Sequence, residues 1–262
     1  MSPDPVSTGT YGVIGVGSIA AAIVVGLCEG VDVPPQVLLS PRSADTAAGL
    51  AARFASVSVA ADNQAVVDGS DIVIVAVLPQ QIEPVLADLA FEERHVVVSV
   101  VAGVDLDRLR TWVAPASRVA RSVPLPAVAG RDGFTPVYPP LPEAIALFER
   151  LGRALPVEDL ASYEALTVSS ATVAAHFAFL GAIADWLVAR GLDPAAARGY
   201  VAATFVGATE SLRGSDVDFD ELIAEVATPG GLNEQFARHL REAGALDAVE
   251  AGMDGVLTRL LD

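Results

Sequence analysis

The sequence has little cysteine, little histidine and little positive charge, and each shortage excludes a class of protein. Its 262 residues contain one cysteine, Cys28, so no disulfide framework is possible and a reducing cytoplasm is expected. The three histidines and the cysteine show no metal-ligand spacing, so no metal site is predicted. Sixteen basic residues against 33 acidic ones give a net charge of -17, which argues against nucleic acid or an anionic membrane as a partner.

Two stretches without Asp, Glu, Lys or Arg have the composition of membrane spans, at residues 5–28 and 165–184. The first has Asp4 and no basic residue before it, so it does not fit a secretory signal. The second contains polar residues that include Thr172 and His176, which favours a helix buried in protein over one in lipid. We therefore expect no membrane partner.

Short apolar strands alternate with helices along the first 157 residues. Nearly continuous apolar runs at residues 71–77 and 95–101 are typical of central parallel strands, which are buried on both faces. The pattern predicts an α/β fold with a doubly wound, mostly parallel Rossmann sheet. Ligands bind such sheets at the carboxyl ends of the strands, which here are followed by residues 15–20, 40–43, 77–80 and 102–103.

A glycine pattern follows the first predicted strand. Gly15 permits a tight turn, Gly17 lets the backbone approach a pyrophosphate, and Ala20 permits close packing of a helix on the strand. Ser18 and Ile19 open that helix, whose first N–H groups favour a phosphate. The loop therefore predicts a dinucleotide-binding site.

The end of the second strand indicates which dinucleotide is bound. Ser40, Arg42 and Ser43 supply a cation and two hydroxyls where the fold places the ribose, and no Asp or Glu is present there. This set suits a 2′-phosphate, so NADP(H) is the expected cofactor, although an ordinary surface arginine would give the same sequence. The other predicted cofactor contacts are Asn63, Ala76, Val77, Pro79, Ala102 and Gly103.

After Val157 the sequence is helical. Helices are predicted at residues 159–168, 172–190, 194–212, 219–227, 233–243 and 246–261. We therefore place a Rossmann domain at residues 1–157 and a helical domain at residues 158–262. The helix that begins at Thr172 is apolar on nearly all sides, which is typical of a helix at the centre of a bundle or in a subunit interface.

The break Pro229-Gly230-Gly231 interrupts the helical half. Thr228 could cap the following helix, Pro229 would fit its first turn, and both glycines would expose N–H groups to an anion. A tight corner between two helices would have the same sequence. The break therefore predicts either an anion site or a corner.

The series of motifs resembles the pyrroline-5-carboxylate reductases over almost the whole chain. The motifs are GVGSIAAAI at 15–23, DNQAVVDGSDIVIVAVLPQ at 62–80, SVVAGVDLDRL at 99–109, RSVPLPA at 121–127, GAIADWLVARGLDPAAA at 181–197 and EVATPGG at 225–231. The resemblance implies an NADP- or NAD-dependent enzyme that reduces a cyclic imine to proline, with a helical domain that interlocks two subunits. The fold also resembles that of imine reductases and of deazaflavin-dependent NADP oxidoreductases.

In the resembled family the Pro-Gly-Gly loop contacts the substrate carboxylate. The substrate contacts predicted on this basis and on helix position are Ser169, Thr228, Gly230, Gly231, Leu232 and Asn233. The chain departs from the family on this side, because Leu232 and Asn233 replace two threonines, Ala175 replaces an aromatic residue, and the segment Pro124-Leu125-Pro126 lacks an asparagine. These departures indicate a changed substrate or a relative that does not make proline.

Ser169, Thr172 and His176 are spaced so that they share one helix face. His176 could donate a proton to a substrate nitrogen or oxygen, and Thr172 could hydrogen-bond the same atom. A buried histidine satisfied by a carbonyl is the structural alternative.

The leading hypothesis is an NADP-dependent reductase of the C=N bond in a small cyclic imine that bears a carboxylate. A homodimer, or a higher oligomer, would form through the C-terminal helices. The alternatives are an NADP-binding sensor or scaffold without catalysis, and an oxidoreductase that acts on another imine, a ketone or a deazaflavin.

Overall fold

The computed structural model describes residues 9–212 and 218–261. The chain divides into two compact units, Met1–Thr167 and Val168–Asp262. The domain boundary expected after Val157 lies before this division and stays a prediction.

An eight-stranded sheet forms the centre of the first unit, in the order β3-β2-β1-β4-β5-β6-β7-β8. The strands are β1 (Tyr11–Ile14), β2 (Val37–Leu39), β3 (Val57–Val59), β4 (Ile72–Val75), β5 (Val96–Ser99), β6 (Arg118–Ser122), β7 (Gly133–Tyr138) and β8 (Gly152–Pro156). Neighbouring strands are parallel except β6 and β7, which are antiparallel. The predicted doubly wound, mostly parallel sheet is confirmed.

Helices cover both faces of this sheet. They are α1 (Ser18–Cys28), α2 (Ala44–Arg53), α3 (Asn63–Asp68), α4 (Ile82–Ala87), α5 (Leu106–Trp112) and α6 (Pro142–Glu149), followed by α7 (Leu160–Ser170). In β4, Ile72 and Ile74 belong to one apolar core, and Val73 and Val75 belong to the other. Successive strand residues point to opposite faces, so an all-apolar strand is the sequence of a sheet covered on both sides.

The second unit is helical. Its helices are α8 (Thr172–Val188), α9 (Pro194–Thr209), α10 (Phe219–Val226), α11 (Leu232–Glu242) and α12 (Ala245–Leu261). Asp193 and Asp218 begin α9 and α10, since each carboxylate accepts hydrogen bonds from two N–H groups of the first turn. The predicted all-helical C-terminal half is confirmed.

Within one chain, much of the apolar surface of the second unit is uncovered. Its buried apolar side chains among the described residues are Val168, Ala184, Ala197 and Val201, whereas Phe177 and Trp186 of α8 are 64% and 55% exposed. Of the two settings predicted for α8, this exposure favours a subunit interface over the centre of a bundle.

The helical run Leu160–Val188 is also long and apolar enough to cross a membrane, judged by length and composition alone. Core helices of soluble proteins pass the same test. The run therefore carries no membrane assignment by itself.

Candidate active site

Two glycines shape the loop between β1 and α1. Gly15 has φ +89°, in the left-handed region, and a Cβ atom there would lie 2.7 Å from the carbonyl oxygen of Ala76. A larger residue would push the loop away from the end of β4. At Gly17, which is exposed, a Cβ atom would meet nothing within 4 Å. The loop therefore packs tightly against the sheet at Gly15, whereas the space beside Gly17 is free for a ligand.

The N-terminus of α1 is suited to an anion. Gly17 is its N-cap residue, no side chain caps the helix, and its first turn contains no acidic residue. The unpaired N–H groups and the helix dipole both favour a phosphate group there. Ser18 is exposed and Ile19 is half-buried. Because β1 lies between β2 and β4, this loop is at the point where the strand order reverses, and the residues present fit a dinucleotide pyrophosphate.

Ser40, at the end of β2, supports the glycine loop. Its hydroxyl oxygen accepts a hydrogen bond of 2.9 Å from the N–H of Gly15, and the residue is only 1% exposed. The sequence predicts that this hydroxyl is offered to the cofactor, but in the structure it is buried and fixes the turn. Sequence reasoning missed the bond because it joins residues 25 positions apart, which only the pairing of β1 with β2 brings together.

Arg42 and Ser43 lie between β2 and α2. Arg42 is exposed, and its guanidinium forms no ion pair or hydrogen bond with any residue that the structure describes. Ser43 is half-buried and is the N-cap residue of α2, without a side-chain capping bond. An unpaired guanidinium with a neighbouring hydroxyl fits a phosphate on the ribose.

The remaining predicted cofactor residues follow three other strands. Ala76 and Val77 are half-buried after β4, and Pro79 begins a short 3-10 turn there. Asn63 opens α3 after β3, while Ala102 and Gly103 are exposed after β5. Since β1 to β5 are parallel, all these residues lie along the same edge of the sheet.

A buried ion pair at the end of β6 was not predicted. Nη2 of Arg121 lies 2.9 Å from Oε1 of Glu164 in α7, and the two side chains are 3% and 8% exposed. The guanidinium also lies 4.7 Å from the ring centroid of Tyr163, which stacks on Tyr138. Burial raises the pKa of Tyr163 to about 12, so its hydroxyl stays neutral. The pair anchors α7 to the strand whose last two residues begin the RSVPLPA motif.

In the second unit, Thr172 and His176 line one cavity of about 660 Å³. The cavity lies among α7, α8, α11 and α12, and its other lining residues are apolar or glycine. The ring centroid of His176 lies 5.7 Å from that of Phe177 and 6.5 Å from that of Phe205. The hydroxyl of Thr172 donates to the carbonyl oxygen of Ser169 at 2.7 Å, so its oxygen remains available only as an acceptor. Ser169 itself is outside the lining.

The Pro-Gly-Gly loop, residues 229–231, is a turn that precedes α11. The prediction that Thr228 caps this helix and that Pro229 occupies its first turn is wrong, because the N-cap residue is Gly231. Gly230 has φ +75° and reverses the chain, and the N–H of Gly231 donates to the carbonyl oxygen of Thr228 at 2.8 Å. The loop therefore has the geometry of a corner.

The loop is held by side chains of α11. The N–H of Gly230 donates to the carboxylate of Glu234 at 2.7 Å, and the side-chain amide of Asn233 donates to the carbonyl oxygen of Val226 at 3.0 Å. Leu232 is 84% exposed. No residue from 228 to 233 lines the cavity that contains His176. The two groups of predicted substrate residues are thus not brought into one cavity of the second unit.

Both halves of the chain match known families. Residues 10–103 match the family model described as NADP oxidoreductase, coenzyme F420-dependent, and residues 162–260 match that for pyrroline-5-carboxylate reductase dimerisation. Pyrroline-5-carboxylate reductase 3 of Xenopus laevis is 30% identical over 285 residues, which cover 100% of this chain and 98% of the relative. The chain belongs to the pyrroline-5-carboxylate reductase family.

Solved structures of this family have the same fold. A pyrroline-5-carboxylate reductase from Coxiella burnetii is 25% identical, with a TM-score of 0.81 and 97% of each chain covered. The Plasmodium falciparum enzyme, solved with NADP bound, is 16% identical, with a TM-score of 0.78 over 96% of this chain and 97% of that one. The predicted family, the oxidoreductase class and the NADP cofactor are confirmed.

Proposed function

We propose that this protein reduces the C=N bond of a small cyclic imine with hydride from NADPH. The observation that carries the proposal is the open glycine loop at Gly17 together with the exposed, unpaired Arg42, in a chain of the pyrroline-5-carboxylate reductase family. Pyrroline-5-carboxylate, a cyclic imine that bears a carboxylate, is the first substrate to test, and proline synthesis is the corresponding role.

The chain's own contribution is binding and proton supply. Bound NADPH would supply the hydride. The amides at the start of α1 and the guanidinium of Arg42 would hold its phosphates, and Ala76, Val77 and Gly103 would fix its orientation along the sheet edge. An imidazole nitrogen of His176 would give the proton that the imine nitrogen needs as its carbon is reduced. The acceptor oxygen of Thr172 would orient the protonated nitrogen.

The assembly that we propose is a homodimer formed through the second unit. The exposed apolar side chains of α8 and the dimerisation match over residues 162–260 support it. The single buried thiol, Cys28, fits a cytoplasmic protein. The net charge of -17 fits a protein without a nucleic-acid partner.

The test follows NADPH oxidation by absorbance with purified protein, pyrroline-5-carboxylate and a panel of other cyclic imines and ketones. We expect turnover of at least one imine and none of the ketones. Tight NADPH binding with no imine turnover would contradict the proposal and favour a sensor or scaffold. Turnover of ketones and of no imine would show that the protein reduces C=O bonds instead of C=N bonds.

A further inference from the structure

Arg121 lies in the last row of side chains below the edge of the sheet where the cofactor is expected. In the sheet it pairs with Ser99, the last residue of β5, and Ser99 pairs with Val75, the last residue of β4. Residues that pair in register on parallel strands point to the same face, so the three side chains form one row. The loops that follow this row contain Val77 and Gly103, which are predicted cofactor contacts.

The strand order indicates which end of the cofactor would lie above this row. The glycine loop follows β1, and Arg42, the expected contact of the ribose phosphate, follows β2. In a doubly wound sheet the dinucleotide crosses the point where the strand order reverses, so its other half would extend over β4, β5 and β6. The loops next to Arg121 therefore belong to the nicotinamide half of the site.

The ion pair between Arg121 and Glu164 is buried but incompletely satisfied. Among the residues that the structure describes, Nε of Arg121 and Oε2 of Glu164 have no hydrogen-bond partner. A buried polar atom without a partner is costly, and a buried ion pair often stabilises a fold less than apolar residues of similar size would. Stability alone therefore does not explain why an Arg and a Glu are present at these positions.

The pair does fix the geometry around the end of β6. The guanidinium of Arg121 is held by Glu164 of α7 and by the ring of Tyr163, which stacks on Tyr138 with 5.5 Å between the centroids. Tyr138 is the last residue of β7 and pairs with Arg121 across the strands. A planar guanidinium held on several sides has little freedom to move. The end of β6, and the loop of residues 123–126 after it, are thereby fixed relative to β5, β7 and α7.

We infer that Arg121 is a positioning residue for hydride transfer, which holds the loops after β5 and β6 in the arrangement that orders the nicotinamide ring of bound NADPH. It would act through these loops and touch neither cofactor nor substrate. Its effect on rate rests on the proposed reductase function, whereas its effect on the ring can be measured without a substrate. A misplacement of about 1 Å can slow a reaction by about 100-fold, which is the size of effect expected when the pair is lost.

The first test replaces both members of the pair, in the double variant Arg121→Met with Glu164→Leu. Apolar side chains would fill the same space, so its thermal midpoint should equal or exceed that of the wild type. Its kcat should fall by about 100-fold, while its KM for NADPH should change by less than about threefold. Wild-type kcat in this variant overturns the inference.

Single variants separate position from charge. Arg121→Met leaves the carboxylate of Glu164 buried without its partner, so it should lower the midpoint as well as kcat. Glu164→Gln keeps an acceptor of the same shape for Nη2 of Arg121, so it should retain most of the wild-type kcat. A Glu164→Gln variant as slow as the double variant would show that the charge matters and not the position that it holds, which also overturns the inference.

A matched control is available on the same strand. Arg118 is the first residue of β6 and pairs with Glu143 of α6, at the end of the strand away from the cofactor edge. Arg118→Met with Glu143→Leu removes the same two charges and should keep the wild-type kcat. An equal loss of kcat in both double variants would show that any weakening of β6 has this effect, and the specific role of Arg121 would be wrong.

The fluorescence of bound NADPH tests the inference without turnover. The anisotropy decay of the reduced nicotinamide reports how freely the ring moves on the nanosecond timescale. The Arg121→Met, Glu164→Leu variant should show a faster local decay than the wild type, and its affinity for 2′-phospho-ADP-ribose, which lacks the ring, should stay within about twofold. An identical decay, or a large loss of affinity for this fragment, overturns the inference. A ring that is ordered in the wild type and mobile in the variant supports it, even if no imine is turned over and the proposed function has failed.

Discussion

Arg42 is the residue expected to distinguish NADPH from NADH, because its guanidinium is exposed and unpaired in the described part of the chain. Arg42→Ala should weaken NADPH binding by about tenfold or more, the value of one charge-assisted hydrogen bond, and change NADH binding by less than about twofold. Fluorescence titration measures both affinities. Arg53→Ala is the control, since Arg53 is already paired with Glu29. Equal weakening of the two cofactors by Arg42→Ala would contradict the assignment.

His176 is the proposed proton donor, and it shares a cavity with Thr172. His176→Ala should lower kcat by about 100-fold, the lower range for loss of a general acid, and leave NADPH affinity unchanged. Steady-state kinetics with the best imine and a cofactor titration measure the two quantities. His239→Ala, at an exposed position on α11, should keep wild-type turnover. Unaltered kcat in His176→Ala would remove the proposed role.

His95 is expected to make the stability of the fold depend on pH. It is fully buried, and its Nδ1 accepts a hydrogen bond of 2.9 Å from the N–H of Glu92. Burial, and then the nearby charge of Arg94, lower the pKa of His95. The pKa of histidine in the unfolded chain is about 6.5. The contribution of His95 to the free energy of unfolding is therefore fully present above that pH, and it is lost as the pH falls toward the lower pKa of His95 in the folded protein.

The measurement is urea unfolding of wild type and of His95→Asn at about pH 7.5 and about pH 5.5, at one protein concentration. The wild type should lose more free energy of unfolding on acidification than His95→Asn, by at most about 1.4 kcal/mol per pH unit, which is the limit for one proton. His239→Asn should behave as the wild type does. An identical pH response in His95→Asn would contradict the prediction.

At the scale of elements, two glycines of the β1–α1 loop, Gly15 and Gly17, are expected to differ in role, one serving folding and the other cofactor binding. Gly17→Ala places its Cβ in open space, so the thermal midpoint without cofactor should stay constant while NADPH affinity falls by about tenfold. Gly15→Ala combines φ +89° with a Cβ 2.7 Å from the carbonyl oxygen of Ala76, so it should lower the midpoint itself. Calorimetric scans and cofactor titrations distinguish the two effects. A lowered midpoint in Gly17→Ala would show that this position is also structural.

Elements with a strong apolar pattern could be predicted from the sequence. The helix expected at 172–190 is Thr172–Val188, and the strand expected at 71–77 is Ile72–Val75. The glycine loop between β1 and α1 could also be predicted, since the residues that form it are consecutive in the sequence. Hydrogen bonds between side chains and a distant backbone could not be predicted, because Ser40 reaches Gly15 only after the strands have paired.

The conformation of the Pro-Gly-Gly loop could not be predicted from the sequence either, although its contacts join residues only a few positions apart. Local propensity favours Thr228 as a helix cap, yet the left-handed Gly230 moves the N-cap to Gly231. The bond from Gly230 to Glu234 depends on that turn and on one rotamer of a flexible side chain. Neither is encoded in a pattern that can be read along the chain.

At the scale of the whole molecule, the exposed apolar side chains of α8 predict that assembly contributes to stability. Phe177→Asp should convert the proposed homodimer to monomer, since burying one such side chain stabilises by about 1.5–3 kcal/mol. Phe134→Asp is the control, because Phe134 is a similarly exposed ring in the first unit. Sedimentation measures mass, and the wild-type midpoint should rise with protein concentration. A wild type that is monomeric at all concentrations would contradict the prediction.

The uneven distribution of buried apolar residues between the two units has a consequence during synthesis. The sheet and its two cores are complete by Thr167, so a chain leaving the ribosome can fold its first unit alone. In the proposed homodimer, the apolar helices that follow would be covered only after a second chain has bound. While chains are scarce, the amount of homodimer would rise with the square of their number, and halving expression would lower active enzyme about fourfold. Cells would then control this activity steeply through gene dosage alone.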